Sequence, residues 1–374
     1  MSRIPNAWPA RHILIPIHDF NAGGTEGIAF RLAAAWIAAG RAVTILAGAS
    51  DGPMRALAPA GAAVHILSPE CPRSPLSRLF LGKPMAAAAK ALCPDVIFVP
   101  GNFHFILAAA FKRALPHVPV VAKISNPLVS GSQMTAPQRI GLNWFTRGID
   151  HFVAMAPALT GIAAAQLADR PLAAIADPFM ADDSLISPRE GSPGDADSLR
   201  LLAIGRLEPQ KDMLLGVEAL ARLHKRRPAR LTILGDGSQR AKLEARIVAL
   251  GLGDHVTLAG HVADVRPWLA RHDMLVMPSR FEGVPAVIGE ALCNGLPFAA
   301  TACTRWLADL AAGGALGCLA ARRSAGALAD AIDAVAGRRF PPQDAIADAI
   351  DAHRMRNAAP RYLALFDGLA ATAG

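Results

Sequence analysis

Apolar positions along this chain come in short runs of Val, Ile and Leu that close at Gly or Pro, and the stretches between them repeat apolar residues at helical spacing. His12-Ile13-Leu14-Ile15-Pro16-Ile17 reads as a buried strand, followed by a loop over 18–24 and an alanine-rich helix over about 25–39 that stops at Gly40. Further strands are predicted at 43–47, 96–99, 118–124 and 152–154. Residues 181–199 read ADDSLISPREGSPGDADSL, and a segment so rich in Ser, Pro, Gly and Asp cannot supply a core face. After it the alternation restarts, with strands at 201–204, 231–234, 256–258 and 274–277 and helices at 213–225, 238–250 and 265–270. A closing stretch over 344–369 has helical spacing and puts Tyr362, Leu363, Leu365 and Phe366 on an inward face.

Two βα series separated by a linker predict an α/β protein of two domains with parallel sheets. The expected division is 1–180 together with a terminal helix over about 355–374, and 200–354. A length of 374 residues, with 52% apolar and 18% charged residues, fits folded domains rather than disorder. The five cysteines are odd in number and form no Cys-x-x-Cys pair, so neither a disulfide framework nor a zinc site is indicated. The apolar stretch at 13–17 is too short for a signal-peptide core, and no apolar run approaches the roughly 18 residues needed to span a bilayer. A cytoplasmic protein is expected, peripheral at the inner membrane face if its charge serves a membrane.

The net charge of +8 is uneven: residues 1–180 hold 15 Lys and Arg against 8 Asp and Glu, and the remainder 23 against 22. Such an excess suits a negative partner such as nucleic acid, an anionic membrane surface or a phosphorylated acceptor. With a single Tyr and no basic run interleaved with aromatics, nucleic acid is the weakest of these, and none is expected.

Candidate chemistry concentrates after the strands of the second half. Gly205-Arg206-Leu207-Glu208-Pro209-Gln210-Lys211 places two cations where open α/β sheets bind ligands, and such a pair suits a diphosphate, although most loop Arg/Lys pairs are simply solvated. Gly235-Asp236-Gly237 lets backbone N–H groups approach a ligand, but plain strand-to-helix turns share the pattern. The segment from Pro278 to Leu292 carries Glu282 in a loop and Glu290 inside a helix expected to begin near Pro285, so the two carboxylates can reach different ends of one ligand. Taken singly, these are an ordinary loop glutamate and an ordinary helix glutamate. Asp195-Ala196-Asp197 matches the Asp-x-Asp of metal-dependent transferases but lies in the linker, and reads as a solvated charge pair.

The form Glu-Gly-Val-Pro-Ala-Val-x-x-Glu-Ala-Leu-x-x-Gly-Leu-Pro, from Glu282 onward, resembles the signature of retaining glycosyltransferases of family 4. The likeness extends through Gly205-Arg206-Leu207 with Lys211, through Ile233 to Gly237 and through Leu258 to Val262, covering roughly 200–302 closely. Gly23-Gly24-Thr25-Glu26 resembles the family's glycine-rich N-terminal loop, with Gly27 where many relatives carry a basic residue. His104 stands at about the place of a cleft histidine, although a lone His after a strand is more often structural.

That resemblance implies the GT-B fold, two facing Rossmann-like domains whose last helix crosses back to the first. It implies that Arg206 and Lys211 hold the donor diphosphate, Glu290 the ribose, and the backbone around Val262 the base. Glu282 with Gly283, Val284 and Pro285 would hold the sugar, Gly23, Gly24 and Gly235 would approach the donor, and His104 would lie beside the transferred sugar. Catalysis would rest on His104, Glu282, Arg206 and Lys211. The implied reaction moves a hexose from a nucleotide-diphosphate sugar, uridine by family frequency, to a glycan or lipid-linked acceptor in cell-surface polysaccharide or glycolipid synthesis, without metal or other cofactor. A nucleotide-sugar epimerase, a phosphorylase and a non-catalytic sugar-binding relative stay open on the same fold. A dehydrogenase is disfavoured because no Gly-x-Gly-x-x-Gly follows the first strand of either half.

Overall fold

The short apolar runs form parallel strands, because chain segments buried on both faces are satisfied only by neighbours of the same kind with helices above and below. The computed structural model describes residues 9–21, 23–74, 77–129, 134–168, 170–195 and 197–373. Contacts divide the chain into one unit of Met1–Asp182 with Ala352–Gly374 and another of Asp183–Asp351.

Among the described residues the first unit has seven strands: β1 (His12–Ile17), β2 (Ala42–Ala47), β3 (Ala63–Ile66), β4 (Val96–Val99), β5 (Val120–Ile124), β6 (His151–Ala154) and β7 (Leu172–Ala174). Their order is β3-β2-β1-β4-β5-β6-β7, all parallel, so the winding reverses between β1 and β4. The second unit repeats the scheme with β8 (Leu199–Ile204), β9 (Ala229–Leu234), β10 (Val256–Gly260), β11 (Met274–Met277), β12 (Phe298–Thr301) and β13 (Gly317–Ala320). The order β10-β9-β8-β11-β12-β13 reverses between β8 and β11, which pair at Leu201↔Met274 and Leu202↔Leu275.

Four strands escape the hydrophobic pattern. β3 is mostly exposed, β7 has three half-buried residues, and β12 and β13 read Phe-Ala-Ala-Thr and Gly-Cys-Leu-Ala. Alanine has little strand preference of its own, and burial against sheet neighbours decides the conformation there. The helix Gly24–Ala38 ends as its sequence suggests: Gly40 has φ +83°, Gly40 N–H donates to Ile37 O, and Arg41 N–H donates to Trp36 O, the double closure of a Schellman turn.

The closing stretch is two helices, Gln343–Ile350 and Met355–Ala373, parted by a 3-10 turn over Asp351–His353. The second packs on Gly24–Ala38, where Trp36 meets Tyr362 and Phe366 edge-on at 5.8 and 5.2 Å between centroids. Tyr362 and Phe366 are buried, while Leu363 and Leu365 are only half-buried. Among its described residues the expected linker holds no strand before Leu199, which opens β8, yet most of it is tied to the second unit. Arg189 donates to the carbonyls of Asn294, Leu269 and Ala270, and Ser187 N–H donates to Cys293 O. Asp195 accepts Ser192 N–H at 2.7 Å and closes a turn, while Ala196 lies outside the described residues.

In the first unit Lys123, at the end of β5, donates to Asp177 at 2.6 Å, and both side chains are buried. Removing one partner leaves a buried, uncompensated charge. Lys123→Met is therefore expected to cost about 3–5 kcal/mol in urea unfolding, with much of the loss recovered when Asp177→Leu is added.

Candidate active site

The reversal of strand order leaves a crevice at the carboxyl ends of β8 and β11, and the loops that follow these two strands carry most of the candidate residues. The loop after β8 places Arg206 in solvent and turns Lys211 back toward the loop after β11. There Lys211 Nζ donates to Glu282 Oε1 at 2.7 Å, with Glu282 buried and Lys211 mostly so. An ammonium has three donors, so this contact leaves two for a ligand anion.

The two loops are laced by groups that sequence reasoning did not single out. Arg280 N–H donates to Gln210 O at 2.8 Å, Arg280 Nε to Pro209 O at 3.0 Å, and Gln210 Nε2 to Phe281 O at 3.1 Å. Asp212 pairs with Arg280 at 3.4 Å and with Arg323, which follows β13. Asp212 is itself left-handed, with φ +47° and ψ +48°, a conformation that costs an L residue roughly 1–2 kcal/mol and is held here by the two guanidinium groups. Arg280 lies inside the signature and Asp212 follows Lys211, but neither position announces a partner in another loop.

Glu282 is followed by a buried Gly283 whose carbonyl accepts the Thr304 hydroxyl at 2.8 Å, pinning the turn into the next helix. That helix is Ala286–Cys293, with Pro285 extended at its N-cap, one residue earlier than a first-turn proline. Val284 is half-buried, and Glu290 is half-buried just over one turn inside the helix. Gly235 follows β9 with φ +133°, and a Cβ there would fall 2.0 Å from Gly205 O, so only glycine lets these loops meet. Val262 lies two residues beyond β10, half-buried.

Gly23, Gly24 and His104 belong to the first unit, at its own reversal between β1 and β4. Gly23 is the N-cap and Gly24 the first residue of the helix Gly24–Ala38, and the Glu26 carboxylate folds back over Gly23. Burial raises the Glu26 carboxyl above its ordinary value, against the opposing pull of its own N–H and Arg73. His104 is only 1% exposed, and its Nε2 accepts the His18 N–H at 3.1 Å, so a neutral ring carries its proton on Nδ1. Asp19 and Arg73 form a bidentate pair at 2.6 and 2.9 Å. Burial would raise the Asp19 carboxyl, but the hydrogen bonds from Arg73 and Asn21 N–H outweigh it and hold it below the ordinary value. Among the described residues no three His, Cys, Asp or Glu side chains converge as a metal site would require.

Two doubly wound parallel sheets, each with a crevice where its strand order reverses, define an α/β protein of the Rossmann-like type. Two family models match, one described as a glycosyl transferase 4-like domain over residues 23–176, the other as glycosyl transferases group 1 over residues 198–337. One match thus falls in each of the two units.

Among curated proteins it is 36% identical over 106 residues to the lipopolysaccharide core biosynthesis glycosyltransferase LpsE of Rhizobium meliloti, covering 28% of this chain and 30% of that one. It is 34% identical over 103 residues to the alpha-D-kanosaminyltransferase of Streptomyces kanamyceticus, covering 27% of each. These matches span less than a third of either relative. Among solved structures, Anabaena HepE in complex with UDP and glucose aligns with TM-score 0.75 at 18% identity, over 96% of this chain and 100% of that one. A variant of S. aureus TarM in complex with Fondaparinux, alpha-GlcNAc-glycerol and UDP aligns with TM-score 0.76 at 12% identity, over 95% and 99%. The fold is that of the GT-B class.

The environment of Glu282 also governs Cys303. Burial, and then the Glu282 carboxylate, push this thiol up to about 12. The thiol therefore stays protonated at pH 8, and the protonated form is a poor nucleophile. Iodoacetamide at pH 8, followed by mass spectrometry of the native protein, is expected to label the exposed Cys93 and leave Cys303 unmodified.

Proposed function

We propose that this chain is a retaining glycosyltransferase that moves a hexose from a nucleotide-diphosphate sugar to a glycan or lipid-linked acceptor. The observation that carries the reading is the contact of Lys211 with Glu282, which joins a phosphate-suited cation to a hydroxyl-suited carboxylate from loops far apart in sequence. Residues 200–354 hold the donor: Arg206 and Lys211 take the diphosphate, with Gly235 close by, Glu290 the ribose and the backbone at Val262 the base. Glu282 with Gly283, Val284 and Pro285 takes the sugar hydroxyls. Residues 1–180 and the terminal helix are assigned the acceptor side, with Gly23, Gly24 and His104 as that unit's own contacts to the substrates.

In the chemical step the anomeric C–O bond breaks and its electron pair leaves with the nucleotide diphosphate. The acceptor oxygen bonds to the anomeric carbon on the same face, and its proton passes to a phosphate oxygen of the leaving group. Fixed cations and N-terminal helix amides stabilise the charge as it develops on that leaving group. No protein nucleophile or metal takes part in this scheme. The structural neighbours solved with UDP support uridine as the base, and the relative named for lipopolysaccharide core biosynthesis supports a cell-surface polysaccharide or glycolipid product.

A thermal-shift screen of nucleotide diphosphates and their sugars identifies the donor, since a cognate ligand stabilises the native state by mass action. With that donor, Glu282→Gln and Glu290→Gln are each expected to lower kcat/KM by about tenfold or more, and Arg206→Ala to weaken nucleotide diphosphate binding in calorimetry by a similar factor. Unchanged kcat/KM in both glutamine variants, or undiminished affinity in Arg206→Ala, sinks the assignment of these residues. Turnover is expected to persist in excess EDTA; its abolition and recovery on adding a divalent cation would overturn the metal-free scheme.

A further inference from the structure

The helix Ala136–Thr146 is anchored on one side and bare on the other. A capping box closes its start, Thr135 N–H donating to Gln138 Oε1 at 2.9 Å and Gln138 N–H to Thr135 Oγ1 at 3.4 Å. Its buried residues are Leu142 and Thr146, and Arg170 fastens the latter by donating to Thr146 Oγ1 at 2.6 Å. One turn apart on the outer surface stand Ile140, 71% exposed, and Trp144, 48% exposed. Arg139 and Arg147 flank them in solvent, and the Arg147 guanidinium lies 4.8 Å from the centre of the Trp144 ring.

The charge along the sequence through this helix has one sign. From residue 96 to residue 149 the sequence contains no Asp or Glu but five cations, Lys112, Arg113, Lys123, Arg139 and Arg147. Lys112 and Lys123 are paired with Asp150 and Asp177. The first unit holds 18 Lys and Arg against 10 Asp and Glu, and the second 20 against 20, so the whole net charge of the chain belongs to the first. A further exposed aromatic, Phe80 at 67%, sits on the helix Ser77–Leu92, which packs against the same 3-10 segment Asn102–Leu107 as does Ala136–Thr146.

We propose that Ala136–Thr146 docks the first unit on an anionic membrane surface, with Ile140 and Trp144 entering the headgroup boundary and Arg139 and Arg147 on lipid phosphates. An indole beside an aliphatic side chain suits that boundary, where one end of the ring is apolar and the other wet. Flanking cations gain from the negative surface potential within a Debye length. A second copy of the chain would bring the same positive face against itself, which charge disfavours. Among the described residues no helix is long and apolar enough to cross a membrane, so the contact is peripheral in kind. The proposal is independent of the sugar-transfer reading, and its test needs neither donor nor acceptor.

The full chain is sedimented with phosphatidylcholine vesicles, with and without phosphatidylglycerol, at low and high salt. Binding is expected only where phosphatidylglycerol is present, and is expected to fall steeply with salt. Because Ile140 and Trp144 are exposed, Ile140→Ser with Trp144→Ser is expected to keep the melting curve and lose about tenfold or more in vesicle affinity. Trp144→Leu is expected to retain binding but lose the tryptophan quenching that lipids with brominated acyl chains cause in the wild type. Failure to bind anionic vesicles at low salt, equal binding to neutral ones, or binding and quenching indifferent to these variants overturns the proposal. So does a concentration-dependent dimer in sedimentation velocity that the double serine variant abolishes, which would give the face to a second copy.

Discussion

The ion pair of Lys211 with Glu282 is the contact on which the second unit's crevice depends. It joins two loops that share no local sequence, and it can form only because β8 and β11 are neighbours in the sheet. Removing an ammonium and a carboxylate from water is costly, and one hydrogen bond between them does not by itself offset that cost. The surrounding structure therefore fixes both loops by other means. Arg280 donates to the carbonyls of Gln210 and Pro209, the Gln210 side chain donates to the Phe281 carbonyl, and Asp212 is trapped between two arginines in a left-handed conformation. Thr304 secures the Gly283 carbonyl from a third direction. The pair is thus held in place by bonds within and between the loops that carry it.

The first unit builds its own crevice on the same plan with different chemistry. At the reversal between β1 and β4 the backbone N–H of His18 donates to the ring of His104, which ties together the loops after these strands. Around them Asp19 with Arg73 and Lys123 with Asp177 compensate one another, while burial lifts the Glu26 carboxyl. The interior charges of this unit are therefore largely paired, and its net positive charge falls to side chains at the surface. The second unit is neutral in sum and keeps Arg206 exposed at its crevice. The same architecture thus hosts two different electrostatic roles.

Much of this was legible in the amino-acid sequence. The runs at His12–Ile17, Val96–Val99 and Met274–Met277 are strands with those bounds, and the helix of the signature begins one residue past Pro285. Hydrophobic periodicity, a proline and a glycine are local signals, and each acts through the backbone of its own segment. The composition of 181–199 likewise announced a stretch without regular strands up to Leu199, but gave no sign that Arg189 would fasten it to four backbone carbonyls, those of Leu269, Ala270, His272 and Asn294. The strands β12 and β13, rich in small residues, were not legible, because their conformation follows from burial beside other strands.

By itself, the sequence determined two βα series, their parallel character and the residue types offered after each strand. Strand order was decided only in three dimensions, since which parallel strands pair depends on crossovers that bring distant segments together and not on the period of any one of them. That order makes neighbours of Lys211 and Glu282, lets Arg280 and Arg323 converge on Asp212, and sets the His104 ring against the backbone of His18. Exposure was settled at the same level. Ile140 and Trp144 have the helical spacing of core residues, and stand in solvent because the fold buries Leu142 and Thr146 on the other side of their helix.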